Sequence, residues 1–387
     1  MDYPFERPQR LGVPEEFAGL RERCPVRPVS LRHGQEALLL TRYHDVRAVL
    51  RDHDRFSSDP ARPGYPQLRP VVDRTAAPGS FLVTDPPLHT RYRRMLTGEF
   101  TVRRMAELRP EVERITAGRL DLLLAGPSPA DLVAGFALPV PSDVICLVLG
   151  VPLDDQEFFA TRSRAHLDRS LSAAEVGAAL TELHDYLAEL VRARRSTFRD
   201  DLVGRLLRDF PDLTDEEAVG MTVLLLVGGH ETTANTISLS VLALHESGRW
   251  AELVADPSLV DSAVEELLRY LSPVHHGVVR AVTGEAALSG CPVKAGDGVV
   301  ASLFAANHDP DVFPEPHRLD LARESRHHLA FGNGVHQCVG QLLARIELRA
   351  ALRALVTTVP DLRIAVDRPE FRFDSPIYGL RALPVSW

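Results

Sequence analysis

Lysine is almost missing from this chain. Lys294 is the only one among 387 residues, and all other side-chain positive charge short of histidine comes from arginine. Arginine abundance on that scale reflects composition, so it does not by itself mark a site. The formal net charge of −9 argues against a nucleic-acid partner. Cysteine is also sparse. The four, Cys24, Cys146, Cys291 and Cys338, lie far apart with no CxxC pair, which excludes a zinc ribbon or dithiol redox centre. Cys24, Cys146 and Cys291 read as small, partly buried hydrophobes. Long apolar runs are missing too. The longest, "MTVLLLV", falls far short of the roughly 20 residues that cross a bilayer. The opening "MDYPFERPQR" lacks the apolar stretch of a signal peptide or anchor, so the expectation is a cytoplasmic protein. No GxGxxG, βαβ alternation, internal repeat or acidic tail is present.

What is present is 45% apolar and 25% charged, enough for a large core. Most of the chain carries helical spacing. "TRYHDVRAVLRD" is amphipathic, "HTRYRRMLTGEF" begins after a proline pair, and residues 105–124 and 176–196 repeat apolar positions every three or four. Short strands fit "EALLL", "AALSG" and "GDGVVASLF", with "KAGDG" as a turn. The stretch 56–88, rich in proline, arginine and glycine, reads as a long loop. The strongest helix signal starts at "LTDEEAVG". Thr214 is its N-cap, Glu217 completes a capping box, and Gly248 ends it after Ser247. Roughly 33 residues at about 1.5 Å each make a rod of about 50 Å. Its middle, "LLLVGGHETTAN", is rich in poor helix formers, and local rules broken in the centre of a long helix point to function there.

Three constellations carry chemistry. "HETTA" is not a zinc HExxH motif, because Ala234 stands four residues after His230. What remains is Glu231 beside Thr232, after Gly228 and Gly229. Acid, alcohol and a held water make a proton relay; the plainer reading is a polar seam in a buried helix. "AVEELLRYLSPV" sets Glu266 and Arg269 at i, i+3, a spacing common on helix surfaces. "FGNGVHQCVG" places Cys338 just ahead of a helical pattern, where backbone N–H groups and the helix dipole favour a thiolate. Gly332 and Gly334 let this loop turn beneath a flat object, Gly340 lets the helix come close, and Phe331 offers an apolar wall. A haem iron takes a thiolate presented that way. A catalytic nucleophile with His336 as base, or a structural cysteine, are the other readings of this segment.

Together these segments resemble the cytochrome P450 family. "FGNGVHQCVG" matches its haem loop FGxGxHxCxG, "GGHETT" its [AG]Gx[DE]T oxygen-binding segment, and "EELLR" its ExxR pair. "DPPLHTRYRRMLTGEFT" resembles the segment that reaches over a haem propionate, "HGVVRAVT" puts Arg280 at the other propionate arginine, and "ANHDPDVFPEPHRLDLAR" is similar to the meander. The order and spacing hold from about residue 10 to the C-terminus. The resemblance implies a mainly α fold with a minor β portion, one domain over residues 1–387, and a long central helix crossing haem b. It implies Cys338 as iron ligand, and His89, Arg93, Arg280, His336, Phe331, Gly332, Gly340, Gly228 and Gly229 as cofactor-binding residues. Thr232 and Glu231 would supply the protons that splitting dioxygen consumes, and Glu266, Arg269 and Arg318 would form a structural cluster.

The activity so implied is a monooxygenase acting on a small lipophilic secondary metabolite of polyketide, macrolide, terpene or peptide type, free or tethered to a carrier protein. Electrons would come from NAD(P)H through ferredoxin and ferredoxin reductase, with Arg91, Arg94, Arg103 and Arg104 as residues that could meet an acidic ferredoxin. The pocket would be lined by the 60–84 loop, the 156–185 helices, Leu226, Val227, Val278, Val279 and Ile377, with His275 and His276 as polar anchors or plain loop residues. Two alternatives stand: a peroxide-driven peroxygenase, which needs no acid–alcohol relay, and a non-catalytic haem protein that recruits a carrier-bound substrate.

Overall fold

The helix expected to open at Thr214 does so. Thr214 accepts a hydrogen bond from the Glu217 N–H at 3.2 Å, and Glu217 Oε2 accepts from the Thr214 N–H at 3.0 Å. The helix runs unbroken over Asp215–Glu246. It ends where Gly248 takes φ 70°, with the Gly248 N–H on the His245 carbonyl and the Arg249 N–H on Leu244. The computed structural model describes residues 1–7, 11–31, 34–68, 76–167, 171–373 and 375–387. Helix makes up about 51% of the residues and strand 11%, as the sequence led us to expect. Residue contacts divide the chain into two units: Met1–Ala77 with Phe81–Arg91 and Glu265–Cys338, and Pro78–Ser80 with Tyr92–Val264 and Val339–Trp387.

The second unit is built on the long helix. Pro139–Leu149, Ala173–Ser196 and Gln341–Thr358 pack against it, and Val102–Leu124 packs against the last of these. From Thr233 to Leu244 every residue is buried, so this half is enclosed all round although it carries several polar side chains. Its hydroxyls stay satisfied by bonding back one turn: Thr236 to Thr232, Ser238 to Ala234 and Ser240 to Thr236. The glycine pair does not break the helix. A Cβ on Gly229 would lie 3.0 Å from Ile145, so this glycine lets the Pro139–Leu149 helix approach. Two strands near the C-terminus, Arg363–Ile364 and Pro384–Ser386, form a small antiparallel sheet with Ala130–Asp131.

The first unit holds a six-stranded mixed sheet in the order Asp2–Tyr3, Val26–Leu31, Glu36–Leu40, Gly298–Ala301, Val278–Val282, Phe56–Ser57. Alternation along "EALLL" sends Leu39 to a core with Phe5, Phe17 and Phe304, and Leu40 to another with Val46, Leu50 and Phe313. The expected "KAGDG" turn forms between strands, with the Asp297 N–H on the Lys294 carbonyl. Between Ser57 and Leu88 no helix or strand occurs among the described residues, and 69–75 lie outside them. Residues 168–170 of the 156–185 segment lie outside them as well.

Glu266 and Arg269 are not a surface pair. Both side chains are 0% exposed. Arg269 grips the carboxylate with Nε and Nη2, each at 2.8 Å, and donates from Nη1 to the carbonyls of Asn307 and Pro316. The Asp320 N–H and the Ser325 hydroxyl add two further donors to Glu266. Arg318, expected to complete this cluster, does not. It is half-exposed and pairs with Glu315 at 3.3 Å. The third member is Arg323, whose Nε lies 3.1 Å from Glu266 Oε1. Arg323 also donates to the carbonyls of Pro314, Glu315 and Arg318, so it wraps the turn that carries Arg318 outward.

Breaking one side of a buried pair costs about 3–5 kcal/mol, a large part of a stability of about 5–15 kcal/mol. Arg269→Ala should therefore give little soluble protein and Arg323→Ala a clear drop in midpoint. Arg318→Ala should stay within about 0.5 kcal/mol of wild type in urea unfolding. A second test concerns Glu347 on Gln341–Thr358. It is 1% exposed, its Oε2 has no hydrogen-bond partner among the described residues, and burial pushes its carboxyl well above the usual carboxylate range. Above about pH 4.3 the unfolded chain releases a proton that the folded chain keeps. Stability is therefore lost as pH rises toward the folded value. Glu347→Gln should stabilise the protein, by an amount that grows from pH 5 to pH 8 in paired urea melts.

Candidate active site

Cys338 closes a loop that begins at Phe331. Its N–H donates to the Phe331 carbonyl at 2.9 Å, and a short 3-10 turn, Gly334–His336, lies between them. Gly332 and Gly334 have φ of 70° and 77°, which side-chain-bearing residues rarely adopt. Gly334 also backs onto the helix Tyr43–Arg51, where an added Cβ would stand 2.3 Å from the Leu50 carbonyl. Phe331 is half-buried and Cys338 exposed. Gly340 is the N-cap of Gln341–Thr358 with φ −82°, and a Cβ there would meet nothing within 4 Å of the protein.

The first unit brings His89 and His336 together, with ring centroids 4.1 Å apart. His336 Nε2 lies 2.9 Å from the Ser58 hydroxyl, and Asp85 accepts from the Ser57 hydroxyl and the Ser58 N–H. Neither Ser58 nor Asp85 was singled out from the sequence, although Asp85 opens the "DPPLHTRYRR" segment. His89 and Arg93 share one helix, Leu88–Thr97, four residues apart, with Arg93 half-buried. Arg280 is 6% exposed, and its Nη1 turns onto its own Val279 carbonyl. Burial pulls its guanidinium below its ordinary value, and Tyr65 and Asp85 only partly oppose this.

In the second unit, Glu231 is buried and Thr232 partly exposed. The Thr232 hydroxyl donates to the Gly228 carbonyl at 3.0 Å. Glu231 Oε2 accepts from Arg372 Nη1 at 3.1 Å and from Asn235 Nδ2 at 3.3 Å, while Oε1 is buried with no partner among the described residues. Neither Arg372 nor Asn235 was singled out from the sequence. Their spacing to Glu231 carries no motif in one case and reads as an ordinary helical neighbour in the other.

Several expected pocket residues serve the core instead. Leu226 is 1% exposed, because it is turned about 200° around the helix from Gly228, the exposed position. Val227 is half-buried. Val279 packs with Tyr3, Phe5, Val300 and Phe304, and Val278, pointing to the opposite face, packs against the Leu40–Leu303 cluster. His275 and His276 are both buried. Ile377 is half-buried beside the fully buried Tyr378. Of the four arginines considered for a ferredoxin, Arg94 is exposed, Arg91 half-buried, Arg103 pairs with Glu107 and Arg104 with Glu99.

Comparison with known proteins shows the family. A cytochrome P450 family model matches residues 251–358. The chain is 46% identical over 370 residues to cytochrome P450-SU2 of Streptomyces griseolus, covering 94% of this chain and 91% of that protein. It is 41% identical over 397 residues to the mycinamicin VIII C21 methyl hydroxylase of Micromonospora griseorubida, covering 100% and 99%. The crystal structure of that hydroxylase bound to mycinamicin VIII superposes with a TM-score of 0.92 at 41% identity, covering all of both chains. The chain belongs to the cytochrome P450 family and is a haem-thiolate monooxygenase. No helix among the described residues is long and apolar enough to cross a membrane.

The residues present fit a haem. Arg280 is a buried guanidinium with no carboxylate at ion-pair distance among the described residues, and a propionate is the anion such a group calls for. No group of three His, Cys, Asp or Glu able to hold a metal occurs among the described residues. Wild-type protein should carry one haem whose reduced carbon monoxide complex shows the strongly red-shifted Soret band of thiolate ligation. Cys338→His should move the band to the histidine-ligated position. A histidine-type spectrum in fresh wild type at neutral pH would remove Cys338 from the iron.

Proposed function

We propose that this enzyme inserts one oxygen atom of dioxygen into a small lipophilic secondary metabolite, and that Glu231 and Thr232 run its proton supply. The observation that carries the reading is an acid and an alcohol side by side on an unbroken helix, with one oxygen of the acid left unpartnered among the described residues. A peroxygenase needs no such pair. The substrate is of polyketide, macrolide, terpene or peptide type, a reading supported by the 41% identity to the mycinamicin VIII C21 methyl hydroxylase and the 40% identity to a pentalenic acid synthase. The enzyme works in the cytoplasm, with NAD(P)H electrons arriving through a ferredoxin and its reductase.

Haem bound through Cys338 supplies the activation of dioxygen, one atom going to substrate and the other leaving as water. His89, Arg93, Arg280 and His336 would hold its propionates, arginine suiting carboxylates through paired N–H donors. The glycines at 332 and 334 shape the loop that presents the thiolate, whose N–H bond to Phe331 orients it. Phe331 and Gly340 are residues that would border the haem, and Gly228 and Gly229 thin the long helix where the alcohol sits. Thr232 Oγ1 donates to Gly228, which keeps its lone pairs available to accept a proton-bearing partner. Glu231 Oε1 is the atom that takes up and gives back the proton, since Oε2 is engaged.

Loss of the alcohol should misdirect protons without stopping oxygen uptake. Thr232→Ala should keep substrate affinity and NAD(P)H consumption within a few-fold, yet release hydrogen peroxide in place of product. Glu231→Gln should slow turnover, by about 10²–10⁴ if it behaves as a positioned acid–base group. Thr233→Ala, turned about 100° around the helix and buried, is the control and should be milder. The measurement is product formed per NAD(P)H, with peroxide quantified alongside. It follows a screen for substrate-induced spectral shifts over macrolides, terpenes and aromatic acids. Full coupling in Thr232→Ala, with a substrate lacking a hydroxyl, would sink the relay.

A further inference from the structure

The geometry points to Arg372 as the residue that positions Glu231, so that the C-terminal hairpin sets how the acid is presented. This rests on the relay reading above. Backbone bonds tie the described residues around Arg372 to the opposite arm of the hairpin. The Arg372 N–H donates to the Gly379 carbonyl at 2.9 Å, the Arg381 N–H to Glu370 at 2.8 Å, and Phe371 bridges to Leu380. Tyr378, fully buried, stacks on Phe371 with centroids 5.4 Å apart, and Phe373 meets the same tyrosine edge-on at 5.8 Å. Rings therefore fix the backbone from which Arg372 projects.

Arg372 reaches the long helix across 141 positions of sequence. It is the one cation at ion-pair distance from Glu231 among the described residues, and the two side chains are only 12% and 1% exposed. The hairpin also touches the helix one turn further on. Asn235 Nδ2 donates to the Glu231 carbonyl at 2.7 Å and to its Oε2, and a Cβ on Gly379 would fall 1.6 Å from Asn235 Oδ1. Only glycine fits at 379. Arg372 and Asn235 thus load both donors onto Oε2 and none onto Oε1. A carboxylate held by one oxygen in this way has a defined direction, and its unpartnered oxygen is the one with proton capacity. Without Arg372 the charge would be buried and uncompensated, and the carboxylate would be held by Asn235 alone.

The test uses the ferric holoenzyme with Arg372→Gln, Glu231→Gln, the double variant and Arg372→Lys. Two readouts are taken: the thermal midpoint, and turnover with substrate affinity measured separately. Arg372→Gln should lower the midpoint. Its effect should shrink to less than half in the Glu231→Gln background, because the partner charge is gone. Turnover in Arg372→Gln should fall about tenfold to 10²-fold, as for a misplaced catalytic group, with substrate Kd unchanged. Arg372→Lys should recover most of that loss. A lowered midpoint with wild-type turnover makes Arg372 a structural clamp and overturns the proposal. So do equal midpoint losses in both backgrounds. If Arg372→Gln yields no holoprotein, the double variant should recover yield; a double no better than the single also overturns it. The two readings separate cleanly. Slow Glu231→Gln with fast Arg372→Gln leaves the relay standing and removes only this proposal, whereas fast Glu231→Gln removes the relay itself.

Discussion

A carboxylate taken fully out of water must be surrounded by donors, and Glu266 shows how much structure that requirement can organise. Arg269, Arg323, Ser325 and the Asp320 backbone all converge on it. Each donor fixes a separate piece of chain. Arg269 ties the helix to the carbonyls of Asn307 and Pro316, and Arg323 ties the 314–318 turn to itself. From Ser325 the constraint runs onward. The Leu329 N–H is held by Asn307, the Gly332 N–H by Leu329, and the Cys338 N–H by Phe331. The thiol therefore sits at the end of a hydrogen-bonded path that begins at one buried charge. Such clusters are weak evidence of stability in themselves, because desolvation offsets much of the attraction. Their effect here is positional: hydrogen bonds recur along the segment that leads to the exposed cysteine on its glycine-rich loop.

Glu231 meets the same physical demand in a different way. Glu266 has donors on both oxygens, whereas Glu231 has them on one. The fully satisfied acid is inert and structural. The half-satisfied one keeps an unused acceptor in a buried environment, which is costly to maintain and is the feature on which the proposed relay rests. Two acids on two helices are thus told apart by counting donors, not by burial, which they share.

The glycines divide by similar logic. Gly332 and Gly334 are required by backbone conformation, Gly334 by crowding as well, and Gly229 and Gly379 by the approach of Ile145 and Asn235. Gly228 and Gly340 meet no protein atom that would exclude a side chain. Their smallness is consistent with a flat ligand lying against them, the role the family resemblance assigns.

What the sequence determined by itself was everything whose cause lies within about a helical turn. The capping box at Thr214, the stop at Gly248, the strand at "EALLL", the i, i+3 pairing of Glu266 with Arg269 and the positive-φ glycines before Cys338 all follow from local rules. An ordered set of motifs then pointed to the family. Tertiary structure alone decided which side chain completes each constellation. Arg318 and Arg323 are equally plausible arginines in one meander, and only the path of the 314–318 turn selects the second. Arg372 carries no motif and meets Glu231 141 positions away. Leu226 and Val279 belong to apolar patterns that fit a pocket wall or a core, and helix phase and strand facing choose the core. Local conformation depends on neighbours in sequence, whereas the partner of a buried charge or apolar face depends on which distant segment the packed chain brings there.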